Sequence, residues 1–149
     1  MIRCLSLCFA FSATAAAIVP AFAQQVSPVI ARQAIMKSVG AAAKVGAGIV
    51  QGDISFDPSV AAAVLMTFNA ASHTYGDYFP EGSNTGETEA SPKIWENPQG
   101  FQEKLAAFRM STEAVVKTLP QDVDAFKAAF GQVAQNCKSC HESFRITKQ

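Results

Sequence analysis

Apolar residues return every three or four positions along four stretches of the chain, and polar or proline-bearing punctuation separates the stretches. In the first, Val29, Ile35, Met36, Val39, Ala43, Gly46 and Val50 follow Ser27-Pro28, a capping residue with proline at the first helical position. A helix is predicted here, ending around Gln51-Gly52-Asp53. The second stretch repeats the start signal as Asp57-Pro58 and carries Val60, Ala61, Val64, Leu65, Phe68 and Ala71 to a stop near Tyr75-Gly76. The third opens on Asn97-Pro98, runs through Phe101, Leu105, Phe108, Thr112, Val115, Val116 and Leu119, and is closed by Pro120. The fourth begins near Asp122, and Val123, Phe126, Phe130, Val133, Cys137, Cys140, His141 and Phe144 share one of its faces.

Between the second and third stretches, residues 77–97 are rich in glycine, proline, serine and threonine, longer than a connection in a compact domain normally is. Phe79, Ile94 and Trp95 are the anchors that would pin this loop. Strand-like alternation fails beyond a few residues, and Ala, Lys, Gln and Glu fill the periodic segments. The fold class predicted is all-α, an antiparallel four-helix bundle of the kind that holds a cofactor between facing helices.

Composition changes this picture at the N-terminus. Residues 1–23 read as a signal peptide: Arg3 is the only charge, an apolar stretch runs from Leu5 to Val19, and Ala21-Phe22-Ala23 offers small residues at the cleavage positions. Ser6, Ser12, Thr14 and Pro20 interrupt a core shorter than the roughly 20 residues that span a bilayer, so no membrane anchor is expected after cleavage near Ala23. Cys4 and Cys8 leave with that segment. Residues 24–149 then form one domain, in which 11 basic residues face 12 acidic ones. Such a balance implies no nucleic-acid partner.

Candidate chemistry concentrates near the C-terminus, in Cys137-Lys138-Ser139-Cys140-His141. The CxxCH spacing lets two thiols bond the vinyl groups of one haem c while the adjacent imidazole reaches the iron as proximal ligand. A zinc site needs four ligands, and outside the pentapeptide the mature chain has no cysteine and only His73. A thioredoxin-like centre would follow a strand, and none is predicted. Four side chains offer themselves as the opposite iron ligand: Met36, Met66, Met110 and His73, of which His73 lies in a polar neighbourhood and is discounted. No other His/Glu set, nucleophile triad or phosphate loop accompanies the motif, so no enzyme is predicted.

The segment Cys137 to Arg145 on the last of four helices, with Arg32-Gln33-Ala34-Ile35-Met36-Lys37, Phe79-Pro80-Glu81-Gly82 and Pro92-Lys93-Ile94-Trp95, resembles the class II c-type cytochromes, the cytochrome c′ family with its low-spin relatives. The resemblance implies covalent attachment at Cys137 and Cys140, with His141 as axial ligand. It places Arg145 beside the proximal imidazole, Arg32 and Gln33 by the haem propionates, Met36 on the distal face, and Phe79 in the lining of that pocket. It further implies a periplasmic carrier of single electrons that exchanges them with redox partner proteins. The alternative within the family is a five-coordinate iron that binds NO or CO at the distal face and protects against nitrosative stress. A homodimer through the first two helices is also implied, and Ala41 to Ala43 and Ala61 to Ala63 would permit close approach there. Lys138 and Lys148 are candidates for docking a partner near the haem edge.

Overall fold

The computed structural model describes residues 27–146, so the export signal read at residues 1–23, its cleavage site near Ala23 and Lys148 lie outside the described residues. The proline-marked starts coincide with helix starts, and the reason differs from one to the next. Helix α1 (Pro28–Gln51) opens with no side-chain cap; the Ser27 carbonyl accepts the Ala31 amide at 3.0 Å. It stops where Gly52 turns left-handed at φ 86° and returns its N–H to Ile49 O, a conformation that glycine adopts without a Cβ penalty. In α2 (Pro58–Thr74) the Asp57 carboxylate accepts the Ser59 and Val60 amides at 2.8 and 3.0 Å. A 3₁₀ turn, Tyr75–Tyr78, extends it.

The loop that follows holds an unpredicted single turn, α3 (Lys93–Glu96), nucleated by the Pro92 carbonyl accepting the Trp95 and Glu96 amides. Asn97 and Asp122 then cap α4 (Pro98–Lys117) and α5 (Val123–Phe144) through their side-chain oxygens. Helix α4 ends before the predicted stop at Pro120: Thr118 is extended at φ −136°, and Leu119, the residue before the proline, is disfavoured in the helical region. No helix among the described residues is long and apolar enough to cross a membrane.

Helices α1 and α2, α2 and α4, and α4 and α5 pack as neighbours, and α5 returns to α1, so the four long helices alternate in direction around one core. Ile49, Ala61, Val64, Leu65, Phe68, Phe126 and Val133 fill it. Ile49 falls outside the predicted stripe but lies one turn beyond Gly46 on the same face. The α2–α4 seam also buries polar groups: the Thr112 hydroxyl lies 2.9 Å from that of Ser72 and accepts from Asn69 at 3.4 Å.

At Gly46, α1 lies directly against a side chain of α5. A Cβ there would overlap the Phe130 ring, which the core holds against Phe68 and Phe126. Gly46→Ala is therefore expected to destabilise the haem-loaded protein by about 1–3 kcal/mol, the usual range for overpacking, as measured by denaturant unfolding.

Candidate functional site

At one end of the bundle lies a second apolar cluster of Ile94, Phe101 and Phe144, with Phe79, Trp95, Leu105 and Cys140 packed on it. Phe79 lies edge-on to Tyr75 and Phe101, and Phe101 edge-on to Phe144. The loop is tied down where it meets the end of α5: Ser91 N donates to Phe144 O at 3.0 Å, Ile146 N to Glu89 O at 2.8 Å, and Ala90 and Arg145 form an antiparallel bridge. The gap left between α1, α4, α5 and the loop is a cavity of about 530 Å³.

Its walls bring together the eight residues that the resemblance implied for a haem pocket: Arg32, Gln33 and Met36 from α1, Phe79 from the loop, and Cys137, Cys140, His141 and Arg145 from α5 and its end. Met66 and Met110 stay outside it and are exposed. His73 is outside as well, its Nε2 3.3 Å from Glu113 Oε1 on the α2–α4 surface.

Arg32 is the most constrained of these side chains and is buried despite its charge. Its Nη1 donates to Tyr78 O and Ser83 Oγ, both at 3.0 Å, and its Nη2 to Ser83 O at 2.7 Å. The guanidinium also lies 4.7 Å from the Phe79 ring centre and 5.7 Å from that of Trp95. Only Nε is buried without a partner. Gln33 lines the same slot, and its amide nitrogen donates one hydrogen to Glu87 O at 2.7 Å.

Burial pushes the Cys137 and Cys140 thiols above the ordinary cysteine value; a backbone hydrogen bond at Cys137 and the Lys104 charge near Cys140 work against it. Both sulfurs are therefore thiols at neutral pH. Burial and then the Arg145 charge hold His141 below the ordinary histidine value, with Glu89 pulling the other way. The imidazole is thus neutral near pH 7, the form that binds metal.

The residues present fit a haem. An apolar slot with two thiols and a neutral imidazole on one wall suits a tethered macrocycle, and the orphaned Arg32 Nε–H is a donor waiting for an anionic group at its edge.

Three contributors were invisible in the sequence. Tyr75, read only as a helix stop, lines the slot with its phenol pushed up to about 12, chiefly by burial. Ser83 supplies two of Arg32's acceptors, and Glu89 pairs with Arg145. None carries a spacing signal, because each acts through a contact more than 50 positions away or through a fold-dependent wall.

A model of the family described as Cytochrome C' matches residues 27–145. Cytochrome c' of Rhodopseudomonas palustris is 39% identical over 132 residues, which covers 85% of this chain and 88% of that one. Cytochrome c-556 of Agrobacterium fabrum is 32% identical over 117 residues, 78% of this chain and 80% of the relative. The solved structure of the Rhodopseudomonas palustris cytochrome c' superposes with a TM-score of 0.78 at 36% identity, covering 84% of this chain and all of that one.

Proposed function

The chain belongs to the cytochrome c′ family and is a haem c-type cytochrome, and from that premise we propose that it carries single electrons in the periplasm, not as an enzyme but as a partner to other redox proteins. When bound, the haem supplies a one-electron iron couple. Cys137 and Cys140 would hold it covalently and His141 would present its imidazole to the iron. Arg32 would offer its spare Nε–H to a propionate, and Phe79, Phe101 and Phe144 would keep water from the macrocycle.

The observation that carries this reading is that, of the four candidate sixth ligands, Met36 alone lines the slot shared by Cys137, Cys140 and His141. A thioether on iron favours the reduced state and raises the potential, as a carrier needs. Optical spectra of the ferric and ferrous protein are expected to show low-spin bands with a sulfur-to-iron charge-transfer feature that vanishes in Met36→Ala. High-spin bands, with CO binding freely while Met36 is present, would overturn the carrier.

That outcome would favour the second reading, capture of NO or CO by a five-coordinate iron. One observation speaks for it: Gly40 lines the slot one turn beyond Met36, and nothing lies within 4 Å of the place its Cβ would occupy. There is room on the distal wall for a small ligand. Pairing through α1 and α2 into a homodimer belongs to either reading, with sedimentation of the haem-loaded protein as its check.

A further inference from the structure

One polar feature of the slot is left unused by this mechanism. Arg145 follows directly on α5, one turn beyond His141, and its Nε and Nη2 both donate to Glu89 Oε2, at 2.9 and 2.5 Å. The carboxylate arrives from the loop, 56 positions earlier, and the backbone fixes it there: Glu89 O accepts from Ile146 N, and Ser91 N donates to Phe144 O on its other side. This short ladder keeps the two backbones side by side, so the side chains stay within reach of each other. Glu89, Arg145 and His141 all line the same cavity.

An ion pair this open, with side chains 53% and 40% exposed, adds little to stability. Its electrostatic effect on the site is a different matter. The neighbouring walls, Ile94, Phe101 and Phe144, are buried and apolar, and charge acting across such walls is screened less than charge acting through water.

We propose that Glu89 is a positioning residue for Arg145: it anchors the guanidinium beside the proximal imidazole and cancels its charge, so that iron held by His141 faces a neutral pair instead of a bare cation. The proposal rests on His141 being the iron ligand. A bare cation in this position favours the ferrous state, which carries one positive charge less, and a bare carboxylate favours the ferric state. The loop therefore sets the redox poise of a site to which it contributes no ligand.

The test is the midpoint potential of the haem-loaded protein in four variants. At a fixed applied potential, Glu89→Gln is expected to shift the ferrous-to-ferric ratio on the order of threefold toward ferrous, and Arg145→Gln by a similar factor toward ferric. The double variant should return close to the parent, and Glu89→Asp, which keeps the charge, should move least. A purely structural role loosens the same contact in both single variants, so potentials that shift in one direction, or stay put, overturn the proposal. Should Glu89→Gln fail to retain haem, Arg145→Gln and Glu89→Asp still decide the sign. A parent protein without covalent haem defeats the reading beneath; intact covalent haem with an indifferent potential defeats only this inference.

Discussion

A Cys137→Ala/Cys140→Ala variant, matured in a host equipped for cytochrome assembly, is expected to carry no covalent haem, and its polypeptide mass should be that of the bare chain. The physical consequence extends past the cofactor. An empty cavity costs about 24 cal/mol per Å³, so a slot of about 530 Å³, if it stayed closed and dry, would cost about 13 kcal/mol. That equals the whole stability of an ordinary domain. The slot must flood or collapse, and Phe79, Phe101 and Phe144 lose the surface they were shaped to cover. Helical circular dichroism should largely persist while near-ultraviolet signals weaken and a hydrophobic dye binds. Haem that stays fully covalent in the double variant would refute the attachment sites.

The second large effect lies at the other end of α5. Phe126 is completely buried, with ring centres 6.3 Å from Phe56 and 5.7 Å from Phe130. Truncation to alanine removes that surface and leaves a void which the flanking rings fill only partly, so Phe126→Ala should cost about 3–5 kcal/mol. In thermal unfolding of the haem-loaded protein, a fall in Tm of about 10 °C or more is the corresponding signal. The optical spectrum at room temperature should be unchanged, because the slot is built from the distant end of the helix. A spectrum altered along with Tm would mean that the two ends are not separable.

Much of this architecture was legible because its determinants are local. Asp57, Asn97 and Asp122 announce helix starts through bonds to amides two or three residues away, and the helical period places Phe126, Val133 and Cys140 along one side of α5. The CxxCH group is local as well, and it named the cofactor before any fold was known. What the sequence concealed depends on distant contacts. Arg32 is an ordinary helix-surface residue by spacing, and only the return of Tyr78 and Ser83 over it makes it buried. The turn at Lys93–Glu96 is too short to show a period, and no spacing sets Glu89 apart, since its partner Arg145 lies 56 positions on.

The bridge between Ala90 and Arg145 also sets an order of events. Its partners are separated by more than a third of the polypeptide. A contact this distant in sequence forms more slowly than the helix turns on either side of it. Docking of the loop on the end of α5 is therefore expected to follow helix formation, and until it does the slot lacks one wall.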